Sequence, residues 1–220
     1  DPGGMLTYGI PPYRLPKDIV KKQISALAGS GINFKTGPAE GRIDDIRKLS
    51  GDYDAVFMAT GAWKEGSLGI NVEELMVSGT EFLRSNTIID EPSGKKVAVM
   101  GGGNVAIDVA RTLLRLGAEP VILYRRGREE MPAIVEEVIK AEEESIEMQF
   151  LTLPVSVKGQ EGNIVLECTR MKLGAADESG RPRPEPVEGS EFTVEYDAVI
   201  KATGEIPDYT ILPAELLNED

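Results

Sequence analysis

The chain reads as an α/β fold: a parallel sheet with helices, an antiparallel β-meander beside it, and a truncated second α/β part ahead of it. Three observations predict this. Residues 97–126, VAVMGGGNVAIDVARTLLRLGAEPVILYRR, run as strand, glycine turn, helix and strand. Residues 155–157, 163–171 and 192–196 alternate apolar and polar side chains, the mark of half-buried antiparallel strands. A nine-residue phrase also recurs. YDAVFMATG at 53–61 and YDAVIKATG at 196–204 share seven identities at an offset of 143 positions. A short apolar strand ending in glycine can arise twice by chance. Seven identities, each preceded by a helix–strand pattern, point instead to two copies of one supersecondary plan.

Residues 1–16, rich in Gly and Pro, predict an extended loop. Ile19, Val20, Ile24 and Leu27 predict a helix over 17–28, stopped by Gly29 or Gly31. A short strand at 32–35, a short helix at 41–50 and an apolar strand at 53–60 follow. Residues 62–79 read as loop, 81–85 as a helix capped by Thr80, and 90–96 as a polar boundary. After the glycine turn, Val105, Ile107, Val109, Ala110, Leu113 and Leu114 mark a helix that Gly117 ends, and 121–124 is the next strand. Pro132 suits a first helical residue. Ile134, Val135, Val138 and Ile139 make the apolar face of that helix, and Glu136, Glu137, Glu142, Glu143 and Glu144 its solvated one. Strand 146–151 follows, then the meander with a polar, proline-rich loop at 174–190. A last strand at 198–200 leads into Ala202-Thr203-Gly204, and the tail 205–220 is irregular. The domain division is 1–90 for the partial first unit, 91–205 for the second, and 206–220 for the return segment.

Composition narrows the function classes. The 220 residues carry a net charge of −13, which disfavours nucleic acid and anionic membranes as partners. No apolar run reaches membrane-spanning length, and residues 1–5 have no leader character. With no histidine, a Ser-His-Asp triad, a Cys-His pair and a His-containing zinc site are excluded. The single cysteine, Cys168, reads as a half-buried strand residue; alone it supplies no dithiol and no iron–sulfur ligand set. A reducing cytoplasm fits this usage.

Gly101-x-Gly103-x-x-Ala106 fits the G-x-G-x-x-G/A pattern of a Rossmann-like dinucleotide site, with strand and helix where the pattern needs them. The first glycine makes the turn and the next ones let backbone approach a pyrophosphate. The helix start at Asn104 and Val105 offers unpaired N–H groups to the anion. The alternative is an ordinary glycine-rich turn. At the end of the second strand, where an acidic residue would hold an unphosphorylated ribose, stand Arg125 and Arg126. Guanidinium forks match phosphate oxygens, so NADP(H) is expected over NAD(H), against the alternative of a solvated basic loop. The strand ends Thr60-Gly61 and Ala202-Thr203-Gly204 place small residues where ligands of such sheets sit. Applied to the glycine turn, the repeat offset puts the first copy's turn before residue 1. The chain is therefore expected to be a piece of a longer protein.

Together these residues resemble the two-dinucleotide-binding-domain flavoproteins. They are most like the glutamate synthase small (beta) subunit group, including the related region of dihydropyrimidine dehydrogenase. The resemblance rests on GGMLTYGIPPYRLP at 3–16, DAVFMATG at 54–61, VMGGGNVAID at 99–108, YRR at 124–126 with EMP at 130–132, and DAVIKATGEIPD at 197–208. It implies an oxidoreductase in which NADPH gives hydride to FAD and electrons pass to iron–sulfur clusters or a large partner subunit. It implies NADP(H) on Gly101, Gly102, Gly103, Asn104 and Val105, with the 2′-phosphate on Arg125 and Arg126 and Ala202, Thr203 and Gly204 nearby. Gly4, Leu6, Ile10 and Pro11 are implied to lie near FAD in the full-length parent. The FAD glycine turn and any cysteine-rich segment are missing, so FAD binding by this chain alone is not implied. An incomplete flavin half would also favour self-association. No catalytic side chain is implied, because the cofactors carry the chemistry. Two other readings are a flavin-free NAD(P)-dependent dehydrogenase and a nucleotide-binding regulatory or assembly module. Tyr13 and Lys17 superficially match the Tyr-x-x-x-Lys pair of the former, but Pro16 intervenes and the glycine turn comes only later.

Overall fold

The computed structural model describes residues 2–36, 51–67, 70, 73–85, 89–160, 163–177 and 180–208. The helices are α1 (Gly4–Tyr8), α2 (Lys17–Gly29), α3 (Gly79–Ser85), α4 (Asn104–Arg115) and α5 (Val135–Glu143). The strands are β1 (Lys64–Glu65), β2 (Val77–Ser78), β3 (Lys96–Met100), β4 (Glu119–Leu123), β5 (Glu147–Gln149), β6 (Thr152–Gln160), β7 (Asn163–Ala176), β8 (Pro182–Pro186), β9 (Phe192–Tyr196), β10 (Ala198–Lys201) and β11 (Glu205–Ile206).

The centre is a five-stranded sheet in the order β2-β10-β3-β4-β5, parallel throughout. Its strands are apolar on both sides because both faces are covered. On one face Val97, Val99, Ile122 and Ile200 pack with Phe82 of α3, Ile107, Val109 and Leu113 of α4, and Val138 of α5. On the other, Ala98, Met100, Val121, Leu123 and Val199 pack with Val157, Leu166, Cys168 and Tyr196 of the antiparallel sheet. In that sheet β7 pairs with β6, β8 and β9. The alternation of side chains along β3 thus divides the core into a helical layer and a meander layer.

Local signals place several boundaries as expected. α4 ends in a Schellman turn: Gly117 has φ +84°, its N–H donates to Leu114 and that of Ala118 to Leu113, both at 3.0 Å. Asp197 fastens the start of β3, accepting from the Lys96 N–H at 2.7 Å and donating its own N–H to the Lys96 carbonyl.

Other expectations are corrected. The N-terminal segment holds a short helix, α1, and is tied down by the Lys17 ammonium, which donates to the carbonyls of Leu6 and Ile10. Residues 32–35 and 53–60 form no strand. An apolar segment becomes a strand only when a neighbour accepts its hydrogen bonds, and among the described residues neither has one. Phe57 is 93% exposed. The helix expected at 41–50 lies outside the described residues. Within 62–79, expected as loop, stand β1, β2 and a 3-10 turn at Glu73–Leu75. α3 is capped by the Ser78 hydroxyl, which accepts from the Glu81 N–H at 3.2 Å; Thr80 instead donates to Glu205. The expected loop 174–190 contains β8, whose prolines are tolerated because, among the described residues, it pairs only with β7. In the tail, Glu205 and Ile206 pair with β1.

α5 departs most. Pro132 precedes the helix, because the N–H of Ala133 donates to the Gly102 carbonyl and that of Ile134 to Asn104 Oδ1, holding both in non-helical backbone. Ile134, Val135 and Ile139 are exposed, while Glu137 is buried with Val138 and Ala141. The helix is turned by charge: Glu137 meets Arg111 of α4 and lies 3.5 Å from Arg14.

Candidate functional site

The carboxyl ends of β3, β4 and β10 open into a cavity of about 750 Å³. In an open parallel sheet this is where ligands bind. Its floor is the glycine turn, and each glycine there has a different reason. Gly101 has φ +143°, and a Cβ on it would strike the Ala202 carbonyl oxygen, so this position joins β3 to the end of β10. A Cβ on Gly102 would sit 2.6 Å from the Tyr124 ring, whose hydroxyl donates to the Glu130 carbonyl at 2.7 Å. At Gly103 a Cβ would meet nothing within 4 Å. Gly103 is also the N-cap of α4; no side chain caps that helix and its first turn holds no acidic residue. The amide groups and positive dipole end of α4 therefore face the cavity.

Asn104 and Val105 line the same space, but Asn104 Oδ1 is committed to the Ile134 N–H at 2.9 Å. Asn104 thus couples the glycine turn to the start of α5. Ala202, Thr203 and Gly204 form the facing wall. Gly204 has φ +106° and accepts from the Gly66 N–H at 3.1 Å, which brings Gly66, Ser67 and Ile70 to the mouth. Lys201 reaches Glu65 at 3.3 Å.

The two arginines after β4 differ. Arg125 is exposed on the cavity wall. Arg126 also lines it but is 5% exposed, with Nη2 donating to Asp177 at 2.6 Å and Nε to the Pro182 carbonyl at 2.9 Å. Sequence reasoning missed three groups on this wall: Arg181, Pro132, and the run Thr152, Leu153, Pro154 and Val155 at the start of β6. No local pattern announces them. The run 152–155 arrives because Leu151, at φ +51°, turns the chain so that the Thr152 N–H donates to the Tyr124 carbonyl.

Gly4, Leu6, Ile10, Pro11, Thr60 and Gly61 stand apart from this cavity. Thr60 accepts from the Trp63 indole at 2.9 Å, and Gly61 has φ +77° beside it. The segment after α1 is clamped to the back of α4. Tyr13 donates to the Asp108 carbonyl at 3.2 Å and its ring lies 4.1 Å from the Arg115 guanidinium. Arg14 reaches Asp108 Oδ2 at 2.6 Å. Burial raises the Asp108 pKa, and the Arg14 hydrogen bond opposes the rise. On α5, burial works against the charge of Glu137, yet Lys140, Arg14 and Arg111 outweigh it and hold the carboxyl below its usual range. Hydrogen bonds from Arg115 and Arg111 pull Glu144 down to about 2. Burial pushes the Cys168 thiol up to about 11 and the Tyr196 phenol up to about 12. Among the described residues no cluster of three metal-ligating side chains occurs, and no helix is long and apolar enough to cross a membrane.

Known proteins resemble this chain in sequence and in fold. The profile of the pyridine nucleotide-disulphide oxidoreductases matches residues 5–218. The chain belongs to that family. The NADPH-Fe(3+) oxidoreductase subunit beta of Geobacter sulfurreducens is 43% identical over 224 residues, covering 97% of this chain and 33% of that protein. The NADPH glutamate synthase small chain of Escherichia coli is 37% identical over 219 residues, covering 92% of this chain and 46% of the other. The chain thus spans a third to a half of these curated relatives. Mycobacterium tuberculosis FprA, solved in complex with NADPH, matches in fold with a TM-score of 0.73 at 21% identity, over 94% of this chain and 62% of FprA. The expected resemblance to glutamate synthase small subunits is thereby met, as is the α/β class with its parallel and antiparallel sheets.

Proposed function

We propose that the cavity binds NADPH and that the chain is the NADPH-binding portion of a flavoprotein oxidoreductase of the glutamate synthase small-subunit type. The observation that carries this is the uncapped start of α4 behind Gly103. It offers free N–H groups and an approach that a side chain would block, at the ends of β3, β4 and β10. Gly101, Gly102, Gly103, Asn104 and Val105 would cradle the pyrophosphate, and Arg125 would meet the 2′-phosphate at the end of β4. Ala202, Thr203 and Gly204 would shape the opposite wall.

Bound there, the nicotinamide supplies a hydride equivalent. The chain's own work is binding, orientation and exclusion of water, which is where the protein's share of such catalysis lies. In the whole protein FAD would lie toward Gly4, Leu6, Ile10, Pro11, Thr60 and Gly61. Of these, Leu6 is 51% exposed, Thr60 and Gly61 are exposed and Pro11 is buried, and we derive no flavin step from them. Delivery of electrons to iron–sulfur clusters or a large partner subunit belongs to the same proposal. The apolar side chains left outside, Phe57 and Tyr53 among them, fit a surface covered in the complete protein.

Calorimetry tests the nucleotide reading. NADPH should bind more tightly than NADH, and Arg125→Ala should narrow the gap by about ten-fold, the worth of one charge-assisted contact. Equal affinities in the unaltered chain would sink it.

A further inference from the structure

The cavity carries an arginine that the glycine motif does not announce. Arg181 comes from the β7–β8 hairpin, in the antiparallel sheet, yet lines the same cavity as Arg125. The hairpin is held there by Arg126. Its Nη2 reaches Asp177 on one side of the turn, at 2.6 Å, and its Nε reaches the Pro182 carbonyl on the other, at 2.9 Å. The turn is closed within by the Asp177 N–H donating to the Arg181 carbonyl at 2.8 Å, and by Gly180 at φ +76° donating to the Asp177 carbonyl at 2.9 Å. A buried guanidinium needs a paired charge, and its planar fork suits two acceptors at fixed separation. Arg126 therefore joins the bend after β4 to the hairpin that bears Arg181.

We propose that Arg125 and Arg181, one from each sheet, hold the ribose 2′-phosphate, and that Arg126 is a positioning residue that sets the hairpin through Asp177 and Pro182. The proposal rests on the cavity being the NADP(H) site. Its chemistry is that of a dianion with three acceptor oxygens met by guanidinium groups from two directions. It divides the labour of the adjacent arginines: the exposed one recognises and the buried one builds.

The test is calorimetry on the full chain with NADP+, NAD+, 2′,5′-ADP and 5′-AMP. Arg181→Ala should weaken NADP+ and 2′,5′-ADP by about ten-fold or more, as loss of a charge-assisted contact predicts, and leave NAD+ and 5′-AMP within about two-fold. Arg181→Lys should recover part of the discrimination. Asp177→Asn should lower it as well, and adding Asp177→Asn to Arg181→Ala should lower it no further, because both act through one contact. A merely structural hairpin would weaken all four ligands alike, and that result overturns the proposal. Discrimination that survives Arg181→Ala overturns it while leaving the NADP(H) reading intact. An unaltered chain that binds no dinucleotide, or shows no preference for the 2′-phosphorylated ligands, overturns both. Should Arg181→Ala shift the denaturation midpoint, Arg181→Gln supplies the same comparison with the side-chain volume kept.

Discussion

Replacing Gly101 and Gly103 separately by alanine distinguishes the glycine that builds the turn from the one that serves the ligand. At Gly101 the new Cβ meets the Ala202 carbonyl oxygen and lies 2.9 Å from its carbon, at a φ of +143°. Neither partner yields easily. The Ala202 N–H donates to Met100 at 2.8 Å and the Gly101 N–H to Leu123 at 3.1 Å, so relief of the clash stretches sheet hydrogen bonds. Backbone strain of about 1–3 kcal/mol and overpacking of about 1–3 kcal/mol together predict a loss of about 2–6 kcal/mol. That is a large part of the stability of a typical domain. At Gly103 φ is −91° and the Cβ enters open space, so the loss should stay within about 1 kcal/mol, the scale of an N-cap change. There the cost should fall on the ligand, with NADPH binding weakened about ten-fold or more if, as proposed, the pyrophosphate approaches the position the methyl group takes. Urea denaturation followed by far-ultraviolet circular dichroism gives the first quantity, and calorimetry with NADPH the second. An unshifted midpoint for Gly101→Ala, or full NADPH affinity for Gly103→Ala, would refute the reasoning.

Three further outcomes are expected. Arg14→Ala leaves the buried Asp108 carboxylate without its 2.6 Å partner, and Asp108 Oδ1 already has none, so unfolding free energy should fall by about 3 kcal/mol. A change under about 0.5 kcal/mol in urea titrations contradicts this. Glu144, drawn down to about 2 by Arg115 and Arg111, adds stability that is complete above the ordinary carboxylate pKa of about 4.3 and is lost as the pH falls towards 2. Urea midpoints measured between those limits should therefore decline more steeply in the unaltered protein than in Glu144→Gln. Cys168, 1% exposed and raised to about 11, should resist an aromatic disulfide reagent at pH 8 and react at once in denaturant. Rapid modification of the native protein contradicts the placement of β7.

What could be read locally was what neighbours in sequence decide. The run 97–126 contains its strand, turn, helix and stop, because apolar spacing, glycine torsions and the Gly117 turn act within a few residues. The meander showed itself by alternation along β7 and β9. Partners distant in sequence were not legible. Thr80 and Ser78 are both good capping residues, and only the β2–α3 bend selects Ser78. The glutamates of α5 all looked solvated, yet Glu137 turns inward because Arg111 and Arg14 wait there. The strand expected at 53–60 repeats the phrase that forms β10, but β10 has β2 and β3 beside it and 53–60 has no paired strand among the described residues. The same phrase thus gives a strand in one context and irregular chain in the other.

By itself the sequence determined that a glycine turn between strand and helix would stand at Gly101–Gly103, with arginines one strand later. Those features rest on torsions and periodicity that the chain carries locally. Which arginine stays exposed on the cavity and which is buried was decided only by the tertiary structure. Arg125 and Arg126 are adjacent and alike in type. The bend after β4 leaves one exposed and sends the other to Asp177, and the hairpin held by that buried charge brings Arg181 to the cavity from 55 positions along the chain, counted from Arg126.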